Sequence, residues 1–183
     1  MSAETVYIVL FRGVGGATQL PTKPLREALT KAGFGNVATY INSGNAVVSS
    51  ERKEADVSAE IAAIVKRDFG FEKDIMLVSL AAWSKLIRDN PFPEAVDVPT
   101  SLHAFVLDKA PVKEDVEALA ARGAAHERIA VVGKVLYFHA PDGFGRSKLP
   151  PIVDRVLKAV STARNWNSVL ALHKLAADAA GKK

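Results

Sequence analysis

Cysteine is missing from all 183 residues. Disulfides, thiolate zinc sites, iron–sulfur clusters and thiol catalysis are excluded together. No apolar run approaches the ~18 residues a membrane-crossing helix needs. The opening Met1-Ser2-Ala3-Glu4 also lacks the basic stretch and apolar core of a secretory leader. The expectation is a cytoplasmic protein with no membrane partner. Aromatic residues make up only 7% of the chain, which leaves no ladder of rings for stacking single-stranded nucleic acid. His103, His126, His139 and His173 stand at no i,i+4 spacing from one another, so neither a metal nor another cofactor is implied. A G-x-S-x-G nucleophile turn is absent as well.

What is present is an ordinary globular balance, 49% hydrophobic and 24% charged, enough for one compact domain or two small ones. The net charge of +4 is unevenly spread. Residues 1–50 hold four Lys/Arg against two acids, 51–140 twelve against fifteen, and 141–183 eight against three. Two basic ends therefore flank an acidic middle. Solvated helix faces and the Lys182-Lys183 tail account for part of this, and a basic surface suited to phosphate is the sharper reading.

The run Val6–Phe11 is uniformly apolar and suits a central strand. Arg12-Gly13-Val14-Gly15-Gly16 turns the chain, and a helix follows from about Pro21 to Ala32. Val37–Ile41 and Ala46–Ser49 read as strands joined at Asn42-Ser43-Gly44-Asn45, a hairpin signal because Gly and Asn tolerate positive φ. A helix over about 55–69 and a strand over 74–78 complete β-α-β-β-α-β, the ferredoxin-like order. Ser79 caps a short helix that runs to about Arg88 and ends at Asn90-Pro91-Phe92-Pro93. The second half repeats the pattern with a strand at 102–107, a helix at 112–121 and a hairpin over 128–139. Ser147 is expected to begin a helix interrupted at Pro150-Pro151, and no last strand is expected before the final helix. The expected fold class is α+β, two ferredoxin-like β-α-β-β-α halves packed together with a C-terminal helix finishing the second. The halves are 1–78 and 101–183, with a connecting helix and Pro-rich linker at 79–100.

The candidate chemistry is polar and cationic. Arg12 and Gly13 sit just past a buried strand, where backbone amides can approach an anion. Asn42, Ser43 and Asn45 cluster at one hairpin tip, able to bind a polar ligand or to brace the turn itself. Near the C-terminus Lys148 precedes Arg164-Asn165-Trp166-Asn167-Ser168, where one polar residue would suffice to cap a helix. Trp166, Val169, Leu170 and His173 share a helical face, so the indole reads as a core anchor. Arg164, Asn165 and Asn167 are then left for binding. His103 and His139 fall in strands as packing residues, and are the trial bases should the protein be an enzyme.

Four blocks of this chain resemble the bacterial domain-of-unknown-function family 1697. They are Arg12-Gly13-Val14-Gly15-Gly16 with Leu20-Pro21, then Tyr40-Ile41-Asn42-Ser43-Gly44-Asn45, then Phe144-Gly145-Arg146-Ser147-Lys148-Leu149, and last Thr162–Ser168. The resemblance implies an α/β protein of two ferredoxin-like halves with no established activity. The family's opening motif usually carries two more residues, one an Asn, between Arg-Gly and Val-Gly-Gly, so this member has a shortened loop. Together the residues predict a binding protein with a polar, basic cleft between its halves. Its partner would be a phosphate-bearing small molecule, with a nucleic-acid element the less favoured ligand. A transferase or hydrolase, and a non-catalytic scaffold, are the alternatives.

Overall fold

The computed structural model describes residues 4–42 and 44–182. Its first half runs β1 (Thr5–Phe11), α1 (Thr22–Lys31), β2 (Gly35–Thr39), β3 (Asn45–Ser50), α2 (Glu54–Phe69) and β4 (Ile75–Ser79). The sheet order is β2-β3-β1-β4, with Ile8 opposite Val47 on one side and Val78 on the other. As its unbroken apolar run requires, β1 is central and buried on both faces. Tyr7, Val9 and Phe11 meet Leu25 and Leu29 of α1 and Val57, Ile61, Ile64 and Val65 of α2. Each such side chain contributes about 1.5–3 kcal/mol on burial. Ile8 and Leu10, on the opposite face, are fully buried as well.

The second half runs β5 (Leu102–Leu107), α4 (Lys113–Ala120), β6 (Arg128–Val132), β7 (Val135–His139), α5 (Val153–Leu157) and β8 (Ser161–Asn165), in sheet order β6-β7-β5-β8. Both halves are therefore ferredoxin-like, and the second is complete. The missing last strand is corrected by β8, which pairs antiparallel with β5, His103 facing Asn165 and Phe105 facing Ala163. An edge strand pairs on one side only and tolerates polar residues such as Thr162 and Arg164, which is why the segment does not read as a strand. The helix expected from Ser147 is also corrected. Ser147 Oγ instead accepts from the Leu149 amide at 3.0 Å, Pro150–Ile152 form a 3-10 turn, and α5 starts at Val153. Proline lacks the donor a continuing helix needs.

In chain order α3 (Leu80–Arg88) follows β4, and α6 (Trp166–Gly181) follows β8. Ser79 Oγ accepts from the Ala82 amide at 3.2 Å, as its cap role predicts. The chain divides into two compact units, Met1–Lys85 with Ala171–Lys183, and Leu86–Leu170. The residues from Ala171 onward thus group with the first half, whereas the sequence pattern assigns 101–183 whole to the second. Inside the first unit Ser84 Oγ and His173 Nε2 lie 2.9 Å apart. Among the described residues no helix is long and apolar enough to cross a membrane.

Candidate functional site

In the first unit Arg12 and Gly13 carry the chain out of β1. Because β4 runs antiparallel to β1, its leading residues lie beside them. The Arg12 amide donates to the Asp74 carbonyl at 2.9 Å, and the Arg12 guanidinium stands 3.6 Å from the Asp74 carboxylate. The glycine turn closes on itself: Gly15 and Thr18 exchange two backbone hydrogen bonds of 2.9 and 3.0 Å. Helix α1 begins only at Thr22, after Pro21, so the glycines do not present a helix N-terminus to a ligand.

The hairpin tip packs on that turn. The Gly44 carbonyl accepts from the Phe11 amide at 2.9 Å. Gly44 has φ of 75°, and a Cβ there would lie 2.9 Å from both Phe11 Cβ and Val14 Cγ2. Backbone angle and space both demand glycine. Asn45 is buried and its Nδ2 donates to the Tyr40 carbonyl at 3.2 Å, so this carboxamide braces the hairpin. Asn42 is exposed, and Ser43 lies outside the described residues. Ile41 is 51% exposed with φ of 45°, a left-handed conformation that β-branched residues seldom adopt.

Beside Arg12 and Gly13 opens a hollow of about 490 Å³, walled by Lys66, Glu72, Lys73 and Asp74 and floored by Ala62, Ala63 and Val65. Lys66 Nζ stands 2.9 Å from Glu72. The hydrogen bond to that carboxylate, and then its charge, raise the Lys66 pKa above the usual lysine value. Lys73 Nζ comes within 3.8 Å of where a Gly13 Cβ would sit. Lys66 and Lys73 were not among the residues singled out from sequence. The signal that finds them is topological: in a ferredoxin-like half the end of β1 must meet the start of β4, and Glu72-Lys73-Asp74 immediately precede β4.

The second unit holds Lys148, Arg164, Asn165 and Asn167. Arg164 Nη1 donates to Thr162 Oγ1 and to the Ala163 carbonyl, both at 2.8 Å. Burial lowers its pKa to about 10, so it stays charged at neutral pH. Asn165 Oδ1 accepts from the Ser168 amide at 3.0 Å and caps α6. Asn167 and Lys148 are exposed. Trp166, 2% exposed, is a core residue, and the buried stripe continues through Val169, Leu172, Ala176 and Ala179. Leu170 leaves the expected face and is 45% exposed.

The two candidate bases sit in different surroundings. His103 is 9% exposed, its ring stacked on Phe144 with centroids 3.8 Å apart. Among the described residues its Nδ1 has no partner, and burial lowers its pKa to about 4. His139 Nδ1 lies 3.0 Å from Arg128 Nη2, and burial, then the Arg128 charge, lower its pKa. Among the described residues no group of three His, Asp or Glu side chains could hold a metal ion.

Residues 5–137 match the model of a family described as protein of unknown function, DUF1697. The chain belongs to that family. The matched stretch carries the opening motif and the Tyr40–Asn45 block, while the blocks at 144–149 and 162–168 lie beyond it. Among solved structures, that of a conserved bacterial protein, SP0830 from Streptococcus pneumoniae, has a TM-score of 0.73 at 19% identity. The alignment covers 95% of this chain and 99% of that one, and the likeness establishes the fold alone. No curated protein matches the chain. In this DUF1697 member the structure brings Arg12, Gly13, Asn42 and Asn45 to one end of the first sheet. It puts Arg164 and Asn165 side by side on β8 of the second, with Lys148 in the loop before α5.

Proposed function

We propose that this protein binds a phosphate-bearing small molecule in the hollow beside Arg12. The observation that carries the reading is the convergence of three cations, Arg12, Lys66 and Lys73, on one concave site of about 490 Å³, a size ordinary for ligand sites. Gly13 keeps the backbone bare where Lys73 approaches, its Nζ 3.8 Å from the position a Cβ would take. Hydrogen bonds between cations and phosphate oxygens are worth about 1.5–3 kcal/mol each. Two of the three cations already face carboxylates, Asp74 and Glu72, which holds their side chains in place before a ligand arrives.

Binding of inorganic phosphate and of phosphate esters, measured by calorimetry at low and at 0.5 M salt, tests the reading. Binding should weaken at high salt, because Lys66 is exposed and Arg12 and Lys73 are half-exposed, within reach of screening ions. Lys73→Gln should weaken it about tenfold, equivalent to the loss of ~1.4 kcal/mol. Absence of heat and of thermal protection at millimolar phosphate ester would overturn it.

A further inference from the structure

We infer that the occupant of this hollow is a phosphorylated polyol, a sugar phosphate or an open-chain equivalent, and not a nucleotide; this rests on the anion reading above. The walls mix charges in a way a bare anion would not favour. Arg12 stands beside Asp74 and Lys66 beside Glu72, at 3.6 and 2.9 Å. Inorganic phosphate at neutral pH keeps at most one or two O–H donors among oxygens that otherwise only accept, and its negative charge is repelled by two carboxylates on the wall. A hydroxyl both donates and accepts. Each carboxylate–cation pair therefore offers one acceptor and one donor, the complement of a polyol's hydroxyls, while Lys73 is left for the phosphate.

Charge points the same way. Three cations against two carboxylates leave a wall of net +1. That wall suits a single phosphate ester better than a di- or triphosphate, whose added charge would meet Glu72 and Asp74 directly. The alanine lining gives a base little to stack on. Ala62 and Ala63 are exposed, and among the described residues no aromatic side chain lines the hollow. Base recognition draws on stacking against rings or guanidinium planes; the guanidinium here, that of Arg12, stands against Asp74, and the alanine methyls offer a shallow aliphatic surface for the C–H face of a sugar.

The test compares four probes on the full-length wild-type chain by calorimetry and thermal shift: a hexose 6-phosphate, inorganic phosphate, the unphosphorylated hexose and adenosine 5′-monophosphate. The hexose phosphate should bind at least tenfold more tightly than inorganic phosphate or the nucleotide, and the free hexose should give no shift. Glu72→Gln and Asp74→Asn should shrink the hexose phosphate advantage at least fivefold while leaving or improving the affinity for inorganic phosphate. A nucleotide that binds as well as the sugar phosphate overturns the polyol assignment. So does an inorganic phosphate that matches the sugar phosphate; in both cases the anion reading stands. Silence from every probe, inorganic phosphate included, removes the anion reading and the polyol assignment with it.

Discussion

His103 should tie the stability of the second unit to pH. Its imidazole is buried against Phe144 with Nδ1 unpartnered, and that burial lowers its pKa from 6.5 to about 4. In the unfolded chain the ring titrates near its ordinary value. Between those two pKa values the unfolded chain carries a proton that the folded protein does not, so stability rises with pH across the interval. The contribution is fully present above about pH 6.5 and is lost as the pH falls towards 4. A shift of that size corresponds to about 3 kcal/mol, a large share of the ~5–15 kcal/mol that holds a domain folded. The perturbation is His103→Phe, which keeps a ring facing Phe144 and removes the proton. Urea unfolding of both proteins from pH 7.5 to 4.5 gives two stability curves. The carboxylates titrate alike in each, so their difference isolates the histidine. Wild type should lose about 2–3 kcal/mol more than the variant over that range. At pH 7.5 the two should agree within ~1.5 kcal/mol, since the ring stack is kept and no Nδ1 hydrogen bond is given up. Parallel curves would refute the reasoning, as would a folded-state proton titration of His103 by NMR centred near its ordinary value.

Gly44→Ala should destabilise the first unit by about 2–3 kcal/mol, combining a positive φ with a Cβ pressed on Phe11 and Val14; a denaturant midpoint unchanged from wild type would contradict the tight tip. Asn165→Ala should cost ~1 kcal/mol through loss of the α6 cap, and Asn165→Asp or Asn165→Ser should restore most of it in the same unfolding assay. Tyr137→Phe removes the buried 2.6 Å hydrogen bond from its hydroxyl to the Leu86 carbonyl. About 1–3 kcal/mol should go with it, because that carbonyl is left unsatisfied, and a neutral result in thermal melting would count against the bond.

Much of the fold is legible because burial writes a simple code. The unbroken apolar run of β1 announces a strand covered on both faces, and the helical spacing of Ile61, Ile64 and Val65 announces α2. The code weakens at edges. Strand β8 carries Thr162 and Arg164 in a segment that reads as the approach to a helix, and only its pairing with β5 makes it a strand. The polar residues show a different limit. Asn45 and Asn165 look like ligand groups, yet the Tyr40 carbonyl and the Ser168 amide claim them. A hairpin end and a helix start each leave backbone groups in need of partners, and residue type alone does not reveal which claimant wins. Lys66 and Lys73 do not stand out in the sequence for the opposite reason: lysines near a helix end and before a strand are commonplace until the sheet order puts them beside Arg12.

The first unit draws on both Met1–Lys85 and Ala171–Lys183, while the second is a single unbroken stretch. Synthesis proceeds from the N-terminus and domains generally fold as units. All of the second unit therefore leaves the ribosome before the first has received its last segment, α6 beyond Leu170. The half that is made first is thus the half that is completed last, when His173 comes to lie beside Ser84.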